Sequence, residues 1–397
     1  MNKVIQHIGE SIKLLAAIGI APIYKLFQKK DIYLIGERKD QCQDNGYHLF
    51  KYVRENHKED RFYYCITKDS NQLDKIKNLD NIVYYKSFKH YLYYVLSRKL
   101  VCAHVGSCTP DSAVVWKFEE KNIKKKNRVF IQHGITKELI PSLMYMGSNM
   151  TTFICGAKPE YDFVKKEFGY PEGAVKYLGF CRFDNLHDIE IKNQILIMPT
   201  WRQWFGMDGN NEMSEDKFLK SEYFIRFNEL INSREFDKYL QENNIAAIFY
   251  PHNEMQRYLH LFKSISNNII IANKNYYDVQ TLLKESKILI TDYSSIAFDF
   301  AYMRKPILYY QFDKKEYNKK HYSKGYFDYE RDGFGVVVES INSLIEQLQI
   351  LIDDKYKNLY INRTNKFFEM YDKDNCRRHY EEIIKGNYKN EEDTICN

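Results

Sequence analysis

Five short apolar runs in this chain end in groups that can do chemistry. "LVCAHVGS" contains His104, "RVFIQHGI" contains His133 and Gly134, and "ILIMPTWR" closes on Thr200, Trp201 and Arg202. "AIFYPHNE" contains His252, and "ILITDYSS" closes on Thr291, Asp292, Ser294 and Ser295. An imidazole titrates near neutrality, so a histidine at a strand end can take or give a proton. Gly134 removes the side chain beside His133 and lets a ligand approach the backbone. Lys137, a few residues on, supplies a cation. Pro251 fixes the exit angle of the chain before His252, whose ring can donate to a phosphate oxygen. Arg202 can grip phosphate through two parallel N–H bonds. Ser294 or Ser295 caps a helix beginning near Ile296, and such a helix start offers unpaired N–H groups to an anion. A cap alone needs only one serine. Proton transfer beside bound phosphate is the chemistry this set suits.

Groups so far apart in sequence need a scaffold to gather them. Likewise spaced apolar runs predict strands at Ile32–Ile35, Phe62–Ile66, Ile82–Tyr85, Leu100–His104, Val129–Gln132 and Thr152–Cys155. A second series follows at Ile195–Met198, Ala246–Tyr250, Ile269–Ile271, Ile288–Thr291, Ile307–Tyr310 and Gly335–Val338. Amphipathic stretches such as "GYHLFKYVREN", "KHYLYYVLSR" and "DVQTLLKES" fall between them. Strand–helix alternation predicts α/β architecture with parallel sheets covered on both faces. Two series predict two doubly wound, Rossmann-like domains facing a cleft, with ligands at the carboxyl ends of the strands. The expected division is 1–30 as an amphipathic segment, 31–188 and 189–345 as the two domains, and 346–397 as helices packing back on them.

Composition narrows the function classes. The net charge of +6 over 397 residues is mild. It fits an anionic ligand or membrane surface and gives no case for nucleic acid. Eight scattered cysteines, none in a C-x-x-C pair, read as reduced thiols. There is no G-x-x-x-x-G-K-[ST], G-x-G-x-x-G, H-E-x-x-H or EF-hand loop, and no D-x-D pair within the strand series. P-loop, usual dinucleotide and D-x-D metal-dependent sugar-transfer chemistries are therefore disfavoured, and no cofactor or metal ligand set is expected. The run "EEKNIKKKNR" (119–128) reads as a solvated basic loop. Near the N-terminus, Val4, Ile5, Ile8, Ile12, Leu15, Ile18 and Ile20 recur at helical spacing among lysines. The uninterrupted apolar stretch is too short to span a bilayer, and Pro22 predicts a kink. A helix lying on the cytoplasmic membrane surface or packed on the fold is expected, without a cleaved secretory leader.

At these residues the chain resembles the CDP-glycerol glycerophosphotransferase family. The resemblance lies in "DNGYHLFKYV" (44–53), "QHGITK" (132–137), "GFCRFD" (179–184), "MPTWR" (198–202), "YPHNEM" (250–255), "TDYSSIAFDFAYMRKPILYYQFD" (291–313) and "YSKGYFDYERDGFG" (322–335). The usual family form puts an aromatic before the first histidine, where this chain has Gln132. The resemblance implies a glycosyltransferase-B-like fold attached peripherally to the inner membrane leaflet. It implies transfer of a polyol phosphate from a CDP-activated donor to a hydroxyl of a polyprenyl-diphosphate-linked acceptor, releasing CMP, in teichoic-acid or capsule-like polymer synthesis. On that footing His133 is expected to take the acceptor proton and His252 to steady the diphosphate. Arg202, Thr200, Thr291, Asp292, Ser294 and Ser295 are expected around the donor phosphates, and Gly134 and Lys137 near the acceptor. Rival readings are a CDP-ribitol or nucleotide-sugar transferase of the same fold, and a scaffold that binds polymer or nucleotide without turnover.

Overall fold

The computed structural model describes residues 3–110, 113–121, 126–206, 213–320, 325–351 and 354–385. Contacts divide the chain into two compact units. Unit 1 holds Met1–Ile135, Pro141–Asn185 and Asp372–Asn397; unit 2 holds Thr136–Ile140 and Leu186–Tyr371. The stretch 346–397 is thus shared between the units. Residues 136–140 group with unit 2 although they follow a strand of unit 1.

Unit 1 contains a seven-stranded parallel sheet in the order β3-β2-β1-β4-β5-β6-β7. Its strands are β1 (Ile32–Gly36), β2 (Arg61–Ile66), β3 (Ile82–Tyr84), β4 (Lys99–Cys102), β5 (Arg128–Phe130), β6 (Thr152–Cys155) and β7 (Val175–Tyr177). The central strands are buried at every residue but Lys99, which begins β4, as a sheet covered on both faces requires. The sequence pattern did not predict β7, an edge strand in which Val175 alone is buried. The helix Asn375–Ile384 adds Cys376, Tyr380 and Ile383 to the core that also holds Leu49, Phe50 and Val53 of α2 (Asn45–Asn56). Asp184 fixes its start, accepting the Asn375 N–H at 2.9 Å and the Cys376 N–H at 2.8 Å.

The first helix of unit 1, α1 (Lys3–Phe27), runs on through Pro22. Glu10, Leu14, Ala17 and Ala21 are buried on one side. There α1 packs on the helix Phe88–Leu96, and Glu10 pairs with Lys86 at 3.1 Å. Successive residues turn by about 100°, so Ile5, Ile8, Ile12, Leu15, Ile23 and Leu26 form the opposite stripe. All six are exposed, Leu26 by 76%. One face packs on the fold and the other presents large apolar side chains to solvent. No helix among the described residues is long and apolar enough to cross a membrane.

Part of the supposed basic loop is structural. Glu119 lies in the helix Ala113–Lys121 and accepts from Arg128 at 2.5 Å; Arg128 begins β5 and is 2% exposed. Burial beside a carboxylate, invisible in a local charge count, holds Arg128 inside. Residues 122–125 lie outside the described residues. So do 322–324 of the last quoted family segment, and Cys396; the other seven cysteines are buried and free.

Unit 2 contains a six-stranded parallel sheet in the order β10-β9-β8-β11-β12-β13. The strands are β8 (Gln194–Ile197), β9 (Ala246–Phe249), β10 (Ile269–Ile271), β11 (Ile288–Thr291), β12 (Ile307–Tyr310) and β13 (Gly335–Val338). At the last pair, a Cβ on Gly335 would stand 1.8 Å from the Ile307 carbonyl oxygen, so β13 approaches β12 too closely for any larger residue. The core is aromatic-rich, with Phe218, Phe227, Phe249, Phe262 and Tyr310 packed among β-branched residues of the sheet. Each sheet reverses its order at one point, between β1 and β4 in unit 1 and between β8 and β11 in unit 2. Crossovers leave in opposite directions there and open a crevice at the strand ends.

Candidate active site

In unit 1 the crevice collects histidines. His104 follows β4 and His133 follows the neighbouring β5. Their rings lie 4.3 Å apart with planes 9° from parallel. His133 Nδ1 stands 3.3 Å from the Ala103 carbonyl oxygen. A carbonyl only accepts, so the neutral ring carries its proton on Nδ1 and presents the lone pair of Nε2. The side chain of His133 is exposed, yet desolvation by the protein crowded around it lowers its pKa below the ordinary histidine value. Asp44 and the Ala103 carbonyl oppose that shift, and Arg182 and Arg38 add to it. Burial holds His104 well below its ordinary value, with His133 and Arg38 pushing the same way. Its Nδ1 is buried without a hydrogen-bond partner. Both rings are neutral at pH 7, and a neutral imidazole is the form that accepts a proton. His104 was visible in the sequence as a strand end; its stacking on His133 was not.

The Asp44 carboxylate accepts from Arg182 at 2.8 Å and from the Asn45 N–H at 2.7 Å, at the start of α2. Gly134 continues the turn after His133. Lys137 departs from the expectation that it serves as a free cation beside His133. It groups with unit 2, is 8% exposed, lies 2.5 Å from Glu138 and sits 5.9 Å above the Tyr329 ring. Its charge is neutralised by its neighbour.

In unit 2 the crevice residues mostly bind one another. Arg202 is fully buried. Its Nη1 donates to Asp292 Oδ2 at 2.8 Å and to the Thr200 carbonyl at 3.1 Å. Its Nε and Nη2 donate to Asp313 at 2.7 and 3.1 Å. Tyr223, Tyr293 and Tyr317 surround the guanidinium at 5.1–5.3 Å. Burial acts to lower the pKa of Arg202, but Asp292 and Asp313 together raise it. Burial pushes the Asp292 carboxyl up, and Arg202 and the Thr200 N–H pull it back. The expectation that Arg202 grips phosphate does not fit this geometry, because two carboxylates already occupy its fork. Asp292 likewise is spent on Arg202, on the Thr200 N–H at 2.8 Å and on the Tyr293 N–H at 2.6 Å. Thr291 donates its hydroxyl to the Met198 carbonyl at 2.7 Å. These groups join the ends of β8 and β11 across the order reversal. Asp313, just past β12, went unremarked in the sequence, although it stands at a strand end as Asp292 does.

Beside that clamp stand His252, Ser294 and Ser295. His252 is half-buried, about parallel to Trp201 at 6.4 Å, and its Nδ1 accepts the Glu254 N–H at 3.2 Å. The proton of its neutral ring is therefore on Nε2, the opposite tautomer to His133. Ser294 is buried, with its hydroxyl 3.4 Å from the Ile296 N–H. Ser295 is exposed and makes no side-chain cap bond. The helix it precedes, Ile296–Tyr302, has only seven residues.

Two parallel Rossmann-like sheets, each with polar groups at its reversal point, define a glycosyltransferase-B-like fold. Solved structures of the wall teichoic acid polymerase TagF share it; one aligns with a TM-score of 0.66 at 16% identity, covering 97% of this chain and 98% of that one. The chain belongs to the CDP-glycerol:poly(glycerophosphate) glycerophosphotransferase family, whose model matches residues 20–385. It is 32% identical over 381 residues to the minor teichoic acid biosynthesis protein GgaB of Bacillus subtilis, covering 94% of this chain and 42% of that protein. It is 22% identical to the teichoic acid glycerol-phosphate transferase of Staphylococcus aureus, over 94% of both chains. The chain therefore spans less than half the length of GgaB, and nearly all of the Staphylococcus aureus transferase.

Proposed function

We propose that this chain transfers glycerol phosphate, or a related polyol phosphate, from a CDP-activated donor to an acceptor hydroxyl in teichoic-acid-type polymer synthesis. The observation that carries the reading is the exposed His133 ring, held neutral with its proton on Nδ1 and its Nε2 open to take another. In the reaction the acceptor oxygen attacks the polyol-linked phosphorus as its proton passes to His133 Nε2. The new O–P bond forms as the bond to the bridging diphosphate oxygen breaks, and CMP leaves. His252 acts in the complementary sense, its Nε2–H donating to a diphosphate oxygen as negative charge grows there. Ser295 offers a further hydroxyl. Family membership and the relatives named for teichoic acid synthesis support the donor class.

The acceptor in this reading is lipid-linked, and α1 holds the enzyme on the inner leaflet. Its exposed apolar stripe suits the acyl boundary, while Lys25, Lys29 and Lys30 are exposed near its end to meet anionic headgroups. A panel of CDP-glycerol, CDP-ribitol and nucleotide sugars, with CMP or other released nucleotide measured, tests the proposal. Turnover with a CDP-polyol and loss of it in His133→Ala supports it. Binding of CDP-glycerol without release of CMP under any acceptor condition would leave the scaffold reading in its place.

A further inference from the structure

We propose that Gln132 is a positioning residue for His133, fixing the ring through a left-handed backbone turn and a buried amide clamp. The inference rests on the reading of His133 as the proton acceptor. Strand β5 ends at Phe130, so the chain has two residues in which to turn His133 toward the Ala103 carbonyl at the end of β4. Gln132 makes that turn with φ of +58°. Side chains other than Asn, Asp and His seldom enter this region, and an observed exception at a candidate site points to function.

The exception is held in place from two sides. The Gln132 side chain, 1% exposed, donates from Nε2 to the Ile154 carbonyl of β6 at 2.7 Å and to Glu160 Oε1 at 3.0 Å. Glu160 is itself fully buried and accepts the Gly156 N–H at 2.7 Å. On the other flank Asn45 Nδ2 donates to the carbonyls of Ile131 and Gln132 at 3.1 and 2.9 Å. Asn45 is fully buried, and its Oδ1 accepts the Arg182 N–H at 3.1 Å. The tripeptide ending in His133 is thus braced from β6 and from the start of α2. A buried, satisfied polar network specifies one geometry where an apolar side chain would allow several. Here the specified geometry is the near-parallel stack on His104 and the Nδ1 contact to Ala103. Gln132 therefore decides which nitrogen of His133 faces solvent with its lone pair.

The test uses the full chain with ring-labelled ¹⁵N-histidine, His133 being identified by its absence in His133→Gln. Gln132→Met keeps the length and bulk of the side chain and removes both donors. Gln132→Gly removes the side chain and relaxes the left-handed backbone, and so serves if the methionine variant fails to fold. In the wild type the His133 ring holds its proton on Nδ1 and titrates below the ordinary histidine value. In the variants it samples both tautomers, and its titration moves up toward that value. CMP release from CDP-glycerol then falls in kcat by about tenfold to a hundredfold, the scale of an ångström's misplacement, with KM for the donor unchanged. An unaltered His133 tautomer and titration in a folded variant overturns the proposal. A changed tautomer in an enzyme that turns over no CDP-polyol upholds the clamp and removes the proposed function instead.

Discussion

Replacing Arg202 by methionine separates two roles that the sequence could not. The guanidinium is fully buried and shared between Asp292 and Asp313, themselves buried. Removing it leaves two carboxylates without their cation, and breaking a buried pair from one side costs about 3–5 kcal/mol. Typical domain stabilities are about 5–15 kcal/mol, so the loss is a large share of what holds unit 2 together. With a urea dependence of about 2 kcal/mol per molar, the unfolding midpoint falls by about 1.5–2.5 M. Tryptophan fluorescence can follow this selectively. Trp201 and Trp204 lie in unit 2 with Arg202, and Trp116 lies in unit 1, so Trp116→Phe gives a reporter confined to unit 2. Arg202→Lys keeps a cation but loses the two-pronged fit to Asp313, and its midpoint falls between the other two. At low urea, where both variants are folded, CDP-glycerol affinity changes by less than about threefold, because the side chain is closed to solvent. An unshifted midpoint together with a tenfold or greater loss of CDP-glycerol affinity would refute this reasoning and return Arg202 to the phosphate-binding role its sequence position suggests.

Three further outcomes are expected. His133→Ala folds with the wild-type circular dichroism spectrum and loses about a hundredfold to ten-thousandfold in CMP release from CDP-glycerol, the usual range for a lost proton-transfer group. His104 and His133 both have folded pKa values below the unfolded one, so the folded state binds fewer protons, and their contribution to stability is present above about pH 6.5 and lost as pH falls through the folded values. Groups with raised folded pKa values, such as buried Glu37 at about 7, act in the opposite sense, so the histidine contribution is read as a difference: between about pH 7.5 and pH 5 the urea midpoint of wild type falls relative to that of His104→Phe, which keeps a stacked ring without a titrating group. Replacing Ile23 and Leu26 of α1 by serine leaves thermal unfolding near the wild-type temperature, since both are exposed, and weakens co-sedimentation with vesicles containing anionic lipid; equal binding by the variant would remove the membrane role of this stripe.

The central strands were open to sequence reading because each is a short apolar run that needs no distant partner to be recognised; their order and the two reversal points are set by pairings between strands far apart in the chain, which no local run displays. Strand β7 escaped because an edge strand with only Val175 buried carries no such signal. The strand ends that carry the candidate residues were legible in the chain, but the availability of those residues was not. Arg202 meets Asp292 and Asp313 at separations of 90 and 111 residues. Nothing near Arg202 in sequence says that its charge is consumed. Lys137 was misjudged for the opposite reason, its neutralising partner being the next residue. The tautomers of His133 and His252 depend on a carbonyl and an N–H supplied by the folded backbone, and no residue identity encodes them.

The return of Asn375–Ile384 to unit 1 has a consequence for the chain as it is made. On the ribosome the strands of unit 1 emerge first, but the helix that covers Leu49, Phe50 and Val53 arrives only after Leu186–Tyr371. At ordinary translation speeds of 5–20 residues per second, that interval is about 10–40 s. The earlier-born half must therefore wait with an uncovered apolar flank while the later-born half can complete itself, which makes it the natural client of a chaperone during synthesis.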